Sequence, residues 1–395
     1  MSKRAIVTIV TRNYLAYAKA LMRQCELHEP GADRFVVVAD RLPAGEVADV
    51  PNANIVYGDE LGIERWLRYS FQYTPFELVC ALKPHAVFML MSSRGYQEIV
   101  YLDGDMGVYG PLSPVWQALE KDSLVLTPHL LRPMPECASH PHEIMYTLAG
   151  TFNAGCFAVR DTDTGRAFIN WWIAILRKHC IVDQPNGIFV DQRWLCLVPG
   201  LFPGVCILRH PGVNAGHWTL GQASLEGRFT GVASTSNVHV DGEALVLFHF
   251  SGMTPHKPLE YLTYQNRINL DEMPAVKLLV DGFHRDVHVA GHSAYVAWGC
   301  RMERLSDGTP IKPAWREVIR RDEATFADVE DPFDVASQPG LLSRYRAIEA
   351  VSHAWRAEWL REWERNRGVA GMLRRLWRLG GRAVRPWVRL LVRTS

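Results

Sequence analysis

The sequence predicts an α/β fold in which helices cover a mainly parallel, Rossmann-like sheet. Short apolar strands alternate with helical segments from the first residues onward, which is typical of parallel sheets buried on both faces. The chain has 395 residues, 48% of them hydrophobic and 22% charged, so it can bury a large core. The formal net charge of +1 gives no overall reason to expect nucleic-acid binding.

The predicted elements follow one another closely along the first hundred residues. Apolar runs predict strands at residues 5–10, 34–39, 53–57 and 98–102, and helices are predicted at residues 14–28 and 74–91. In such sheets, ligands bind beyond the carboxyl ends of the strands. Thr11 and Asn13 follow the first predicted strand and Asp40 follows the second, so we expect these side chains to line one crevice.

An acidic pair, Asp103 and Asp105, follows the fourth predicted strand and is separated by Gly104. Alternate side chains of an extended backbone leave the same face, and the glycine leaves room for a bulky anion. Carboxylates are preferred ligands of Mg²⁺ and Mn²⁺, which keep positions open for substrate phosphates. The pair therefore predicts a divalent-metal site. The alternative is an ordinary turn, in which Asp-Gly is common.

Several other familiar site motifs are missing from the sequence or poorly supported by it. It contains neither Gly-x-Gly-x-x-Gly nor a P-loop, which argues against a dinucleotide or ATP site of those types. His284, His288 and His292 are spaced by four residues, as ligands on one helix face would be. Valine and glycine interrupt that segment and no acidic residue is well placed beside it, so we expect no metal site there.

Two later motifs combine polar and small residues. Asn153-Ala154-Gly155 follows Phe152, and Asp191-Gln192 follows an apolar run. These polar side chains are candidate site residues. The alternatives are an ordinary turn for the first motif and a helix N-terminus for the second.

A third motif lies near residue 250. His249 ends an apolar strand, where a histidine is either a metal ligand or a satisfied core residue. Gly252 offers a flexible turn behind it, and Lys257 brings a cation within reach of a phosphate.

In their order along the chain, these motifs resemble those of the retaining glycosyltransferases of the glycogenin and lipopolysaccharide galactosyltransferase type. The order is Thr-Arg-Asn, a helix with Lys83, Tyr-Leu-Asp-Gly-Asp, Phe-Asn-Ala-Gly, Asp-Gln, and His-Phe-Ser-Gly followed by Lys-Pro. The resemblance covers residues 5–265, about two-thirds of the chain. It implies the GT-A fold and a metal-bound nucleotide-diphospho-sugar, UDP-linked, as donor.

The resemblance also implies a role for each matching residue. The metal, Mn²⁺ or Mg²⁺, would be bound by Asp103, Asp105 and His249. Asp191 and Gln192 would lie beside the anomeric carbon. The nucleotide sugar would contact Thr11, Asn13, Lys83, Asp103, Gly104, Asn153, Ala154, Gly155, Gly252 and Lys257, with Asp40 at the same sheet edge.

Two departures from the family pattern concern specificity. Leu259 follows Lys257-Pro258 where the family usually has tryptophan, and Arg193 follows Gln192 where it usually has an acidic residue. The identity of the sugar therefore cannot be transferred from the family.

The residues also suggest how the bond to the sugar would break. A cation that bridges both phosphates stabilises charge on the leaving group. Gln192 is a poor nucleophile, so we favour a short-lived oxocarbenium-like species that is attacked from the leaving-group face, with retention of configuration.

Two other functions remain open at this stage. A sugar-nucleotide nucleotidyltransferase could use a related sheet, although the chain lacks a glycine-rich basic loop near its N-terminus. A non-catalytic sugar-binding scaffold could share the fold, although such decay would not preserve the acidic pair together with His249.

The C-terminal region differs in composition from the rest. Residues 341–364 predict an amphipathic helix with a stripe formed by Trp355, Trp359 and Trp363. Residues 365–395 hold nine arginines and no acidic residue, with leucine, valine and tryptophan between them. A basic amphipathic segment of this kind is typical of helices that lie on anionic membranes. The alternatives are an RNA-binding tail or a helix that docks on a protein.

These observations predict three regions and a location. We expect a catalytic domain at residues 1–270, a mixed accessory region on the acceptor side at 271–340, and a helical extension at 341–395. Eight cysteines without a Cys-x-x-Cys pair favour reduced, mostly buried thiols. No signal peptide or membrane-spanning stretch is expected. We therefore predict a cytoplasmic enzyme, peripheral on the inner face of the membrane, that builds a surface polysaccharide or glycolipid.

Overall fold

The structure is a computed structural model that describes residues 2–133, 143–220, 225–226, 238–253, 273–322, 324 and 326–349. The chain forms two compact units, one ending at Arg304 and the other beginning at Leu305. The division at residues 270 and 340 stays a prediction.

The described strands are short and spread over the first unit. In chain order they are β1 (Arg4–Val10), β2 (Asp33–Val38), β3 (Asn54–Tyr57), β4 (Glu98–Leu102), β5 (Met106–Val108), β6 (Leu124–Pro128), β7 (Phe152–Arg160), β8 (Val182–Asp183), β9 (Ile188–Phe189), β10 (Val205–Ile207), β11 (Ala215–Gly216), β12 (Leu225–Glu226), β13 (His239–Val240), β14 (Glu243–Ala244) and β15 (Leu247–His249).

The described helices alternate with these strands and continue beyond them. They are α1 (Leu15–His28), α2 (Trp66–Phe71), α3 (Pro75–Arg94), α4 (Ser113–Lys121), α5 (Glu143–Ala149), α6 (Asp163–His179), α7 (Val198–Leu201), α8 (Pro274–Val289), α9 (His292–Val296) and α10 (Pro313–Arg321). Residues 341–349 are also helical.

Seven strands form a central sheet in the order β10-β6-β7-β4-β1-β2-β3. All neighbouring pairs are parallel except the two that involve β7, which runs antiparallel to both β4 and β6. Helices α3 and α1 pack against β1 and bury apolar side chains there. The prediction of an α/β fold with a mainly parallel, helix-covered sheet is confirmed.

The reversed direction of β7 matters for the position of Asn153-Ala154-Gly155. These residues lie at the start of β7, and Cys156 pairs with Leu102 at the end of β4. The backbone N–H of Asp103 donates to the Gly155 carbonyl at 2.8 Å. The antiparallel strand therefore brings its N-terminal residues to the edge where the parallel strands have their carboxyl ends.

A second, three-stranded sheet in the order β11-β15-β5 lies at the same edge. In the antiparallel pair of β15 with β5, His249 stands opposite Met106. The N–H of Phe250 donates to the Asp105 carbonyl at 2.9 Å. This pairing places His249 beside the acidic pair.

Helix α3 is fixed at both ends by its own sequence. Thr74 and Glu77 form a capping box at its N-terminus, Pro75 occupies the first turn, and Gly95 ends it with a φ of 69°. The helix buries Leu78 and Leu82 on the sheet side. Lys83 follows on this buried surface and so reaches the acidic pair.

Helix α8 packs on α1 and is continuous through His288. Its buried side chains include Val276, Val280 and Val287. The expected interruption is confirmed before His292, because α8 ends at Val289 and Gly291 has a φ of 99°. Val287 does not interrupt α8, so His284 and His288 share one continuous helix.

The second unit has a small aromatic core of its own. The ring of Tyr345 stacks between Trp315 and Phe326, with centroid distances of 5.1 and 5.4 Å. The predicted helix at 341–364 is described as far as residue 349. The tryptophan stripe and the basic tail lie outside the described residues. In the part of the chain that is described, no helix has both the length and the apolar character needed to cross a bilayer.

Candidate functional site

A large cavity of about 1090 Å³ opens at the carboxyl ends of β1 and β4. Most of the residues predicted for the site line it, namely Thr11, Asn13, Lys83, Asp103, Gly104, Asp105, Asn153, Ala154, Gly155, Asp191, Gln192, His249 and Gly252. Its volume exceeds the upper end of the range typical for a single small ligand. The cavity therefore has room for a ligand of two or three linked parts.

Asp103, Asp105 and His249 form a cluster in this cavity, with one donor atom of each within 4.8 Å of the others. Nε2 of His249 lies 3.1 Å from Oδ1 of Asp105 and 3.9 Å from Oδ2 of Asp103. Two carboxylates and one imidazole are a donor set that suits Mn²⁺ and related divalent cations. The residues present therefore fit a divalent metal.

The charges of the cluster are strongly coupled. Burial lowers the pKa of His249, but the neighbouring carboxylates of Asp105 and Asp103 outweigh burial, so the net shift is upward. Burial acts to raise the pKa of Asp105, and the imidazole of His249 outweighs it and lowers that pKa. The Asp105 carboxylate thus stays ionised and faces a positive partner, an arrangement that a divalent cation would also satisfy.

The orientation of the His249 ring is set by Asn153. Nδ1 of His249 lies 3.2 Å from Oδ1 of Asn153, an oxygen that also accepts from the Gly155 N–H and from Nδ2 of Asn214. An amide oxygen can only accept, so Nδ1 carries a proton and Nε2 faces the carboxylates. A Cβ on Gly155 would overlap this ring and lie 2.7 Å from Nδ1, so the position requires glycine.

Lys83 connects the metal cluster to Asp191. Its Nζ lies 3.1 Å from Oδ1 of Asp103 and 3.0 Å from Oδ2 of Asp191, and it donates to the Ala154 carbonyl at 3.0 Å. The side chain is 2% exposed. Burial lowers the pKa of Lys83, and the two carboxylates outweigh it and raise that pKa, so the ammonium stays charged. These three oxygens surround the ammonium, so the predicted contact with a nucleotide sugar would require Lys83 to move away from one of them.

Gln192 is also engaged by the protein. Its Oε1 accepts from the Ala154 N–H at 3.1 Å and lies 3.3 Å from Nδ2 of Asn153, and its Nε2 donates to the Ala149 carbonyl at 3.0 Å. This amide is held in one orientation at the cavity wall. Such fixed amide groups can position a substrate, which is the part of the predicted role that the contacts allow.

The backbone before Asp191 and Gln192 is strained. Val190 has a φ of 40°, a conformation that β-branched residues rarely adopt. Asp191 precedes the short 3₁₀ helix Gln192–Leu197, as the helix N-terminus interpretation expected, but its side chain makes no capping hydrogen bond. The carboxylate instead faces Lys83 in the interior.

The remaining two predicted site residues are Asp40 and Lys257. Asp40 is described but does not line the cavity. Its carboxylate accepts from the backbone N–H groups of Arg12 and Arg301, each at 2.8 Å, and so fastens the end of β1 to the segment after α9. Lys257 lies outside the described residues.

Four of the lining or supporting residues that were not predicted contact the polar groups of the site or its wall. Tyr101 donates to Oδ1 of Asp103 at 2.7 Å, and Asn214 holds Asn153 and Thr127. His129 and Trp218 form an aromatic wall, in which the Trp218 ring is 5.0 Å from His129 and 5.2 Å from His249. Asn214-Ala215-Gly216 repeats the Asn-Ala-Gly of residues 153–155, and that repetition was the signal that could have identified Asn214.

The chain is similar in sequence to two uncharacterized proteins of Bacillus subtilis (strain 168). It is 27% identical to YfnF over 256 residues, which make up 63% of this chain and 81% of YfnF. It is 24% identical to YfnD over 259 residues, 64% of this chain and 79% of YfnD. No family model matches the chain.

Solved glycosyltransferase structures are similar to it at low identity. One is the galactosyltransferase LgtC in complex with donor and acceptor sugar analogs, with a TM-score of 0.43 and 17% identity over 73% of this chain and 95% of LgtC. Another is the apo structure of the bifunctional WbbM, with a TM-score of 0.40 and 13% identity over 72% of this chain and 50% of that chain.

Proposed function

We propose that this protein is a glycosyltransferase that transfers a sugar from a nucleotide-diphospho-sugar to a glycan or lipid-linked acceptor. The observation that carries the proposal is the cluster of Asp103, Asp105 and His249 within a cavity large enough for donor and acceptor together. The motif order described above supports the same function. UDP is the nucleotide that the resemblance implies.

Asp103, Asp105 and His249 would hold Mn²⁺ or Mg²⁺ in this cavity. A bound divalent cation would neutralise the diphosphate and stabilise the charge that develops on it as the sugar departs. Asp103 is suited to this role because Tyr101 and Lys83 hold one of its oxygens and leave the other facing His249.

Asp191 and Gln192 would position the sugar. Lys83 neutralises Asp191 from the interior, and three protein contacts hold the Gln192 amide. An amide held in this way is a weak nucleophile, so we propose a dissociative transfer: the sugar–phosphate bond breaks, the acceptor hydroxyl attacks from the leaving-group face, and the departing phosphate oxygen takes the hydroxyl proton. The product would keep the anomeric configuration of the donor.

The test is turnover by purified protein with Mn²⁺ and a panel of nucleotide sugars, with mass spectrometry to detect transfer or slow hydrolysis. Asp103→Asn and Asp105→Asn should lose activity, and His249→Ala should keep a small part of it. Asp59→Asn, a surface substitution beside Arg41, is the matched control and should turn over like the wild type. Hydrolysis that persists in the presence of a chelator would contradict metal dependence.

The roles proposed for Asp191 and Gln192 are tested by a separate experiment. Gln192→Ala should lower kcat far more than it raises KM for the donor, because the amide would act in the transition state. The coupling constant of the anomeric proton in the product reports its configuration. An inverted product would overturn retention while leaving glycosyl transfer intact.

We also propose that the basic C-terminal segment binds an anionic membrane surface, which would place the enzyme on the inner face of the membrane. This proposal rests on sequence alone. Deleting residues 365–395 should release the protein from anionic vesicles, and equal vesicle binding by the shortened chain would contradict it.

A further inference from the structure

A pair of histidines lies on helix α8, outside the cavity. Nε2 of His284 and Nε2 of His288 are 3.1 Å apart, and their ring centroids are 4.3 Å apart. The two residues are four apart on one continuous helix, so both rings project from the same face. His288 is exposed and His284 is partly exposed. Neither residue belongs to the cluster of Asp103, Asp105 and His249.

We propose that His284 and His288 form a second metal site, which chelates a divalent transition-metal ion. With metal–nitrogen bonds of about 2.1 Å, two nitrogens 3.1 Å apart subtend about 95° at the ion. That angle lies between those of octahedral and tetrahedral coordination. The two rings therefore need little movement to bind one ion, and water would fill the remaining positions.

The donor set determines which ions this site takes. Imidazole nitrogens favour Zn²⁺, Ni²⁺ and Cu²⁺, whereas carboxylate-rich sites suit Mg²⁺ and Mn²⁺. The His284–His288 pair offers nitrogen alone, and the cavity cluster offers two carboxylates. The two sites are thus expected to differ in ion preference. Binding at the pair requires the ring whose Nε2 now donates to move that proton to its Nδ1, a change of tautomer with no net loss of a proton.

The helix that carries the pair is firmly packed. Phe283, next to His284, stacks on Phe250 with a centroid distance of 4.1 Å and an interplanar angle of 9°. Val280 and Val287 are buried on the same side of the helix. A rigid helix keeps the two nitrogens at their present separation, which reduces the entropy that binding must overcome. A third imidazole, His292, lies 5.4 Å from His288 between ring centroids but is itself buried.

The experiment is calorimetric titration of Zn²⁺ into protein that has no polyhistidine tag. The titrations use the Asp105→Asn background, which weakens the cavity cluster as a competing site. We expect Zn²⁺ to bind this protein and to raise its Tm. Both effects should disappear in Asp105→Asn proteins that also carry His284→Gln or His288→Gln. His239→Gln, which replaces an exposed histidine on β13, is the matched control and should change neither.

A second measurement separates loss of the site from loss of the fold. With Asp105 intact, His288→Gln should bind Mn²⁺ as the wild type does and give the same circular dichroism spectrum. The proposal is overturned if the Asp105→Asn protein binds no Zn²⁺, or if its Zn²⁺ binding survives both histidine substitutions. These outcomes do not depend on whether the protein transfers sugars.

Discussion

The hydroxyl of Tyr101 donates a hydrogen bond of 2.7 Å to Oδ1 of Asp103, the same oxygen that lies 3.1 Å from Nζ of Lys83. Two donors therefore hold one carboxylate oxygen toward the interior. The other oxygen, Oδ2, faces His249 at 3.9 Å. Because Oδ1 is held by the protein and Oδ2 faces the cluster, Asp103 is already oriented to offer Oδ2 to a metal.

Removal of the Tyr101 hydroxyl tests this orientation. Tyr101→Phe keeps the ring that stacks on Phe157 but loses the bond to Asp103. We expect Mn²⁺ affinity to fall by about tenfold with little change in Tm, which is the lower end of effects seen for partners of metal ligands. Titration calorimetry measures the Mn²⁺ affinity, and thermal unfolding measures Tm. Tyr96→Phe, which removes a similar bond to Asp33, is the control, and equal effects of the two substitutions would contradict the account.

Lys83 should matter for stability as well as for the site. Lys83→Met leaves Asp103 and Asp191 without their shared cation, and loss of one partner from a buried ion pair costs about 3–5 kcal/mol. Urea unfolding should therefore show that the free energy of unfolding of this variant is lower than that of the wild type by an amount of this order. The double variant Lys83→Met/Asp191→Asn should recover part of it, because one of the two buried charges is gone. A double variant no more stable than the single one would argue against this ion pair.

Gly155→Ala should disturb His249 specifically. The added methyl group would overlap the His249 ring, which can relieve the clash only by leaving its position near Asp105. We expect Mn²⁺ binding to be lost or weakened by more than tenfold while the protein remains folded. Gly200→Ala, where the new Cβ meets no atom within 4 Å, is the control. Wild-type Mn²⁺ affinity in Gly155→Ala would show that the ring position is not needed for binding.

His85 predicts a pH dependence of stability. Burial lowers its pKa to about 4 from 6.5, and its Nε2 has no hydrogen-bond partner among the described residues. Between these two pH values the unfolded chain binds a proton that the folded protein does not. The free energy of unfolding therefore falls as the pH is lowered from 6.5 to 4, by at most about 3 kcal/mol from this residue.

Replacement of His85 isolates the contribution of this residue to the slope of the unfolding free energy against pH. His85→Leu has no titrating group at this position, so the difference in unfolding free energy between variant and wild type should grow as the pH falls from 6.5 to 4. Urea unfolding at several pH values measures the difference. Burial also lowers the pKa of His129, to about 3, so the variant should keep part of the slope. Parallel pH profiles for the two proteins would contradict the prediction.

The sequence predicted the parallel strands β1 to β4 well, because each is a short apolar run with clear ends, but it did not predict the parallel pair of β6 and β10. Predicted residues 98–102 coincide with β4, and the helix predicted at 74–91 begins one residue before α3 and ends three before its last residue. The direction of β7 was not predictable from its composition, since an apolar strand can pair in either sense. That direction brings the start of β7 to the end of β4, where the Gly155 carbonyl accepts from the Asp103 N–H.

Contacts between residues far apart in the chain explain the other differences between the predicted and the observed site. Lys83 was predicted on its helix, but its partner Asp191 is more than a hundred residues away in the chain. Asp40 was predicted from its position after β2, and its carboxylate instead binds backbone N–H groups of Arg12 and Arg301. The position of a residue at a strand end predicts that it lies near a cavity. The direction of its side chain depends on contacts with residues that come much later in the sequence.

Nucleoside-diphosphate binding tests the central claim most directly, since the claim is that Asp103, Asp105 and His249 hold a cation that recognises a diphosphate. UDP is titrated into wild-type protein and Asp105→Asn, each with Mn²⁺ and with a chelator. The account predicts heat of binding only for the wild type with Mn²⁺. Equal UDP affinity in the chelator, or in Asp105→Asn, would contradict it.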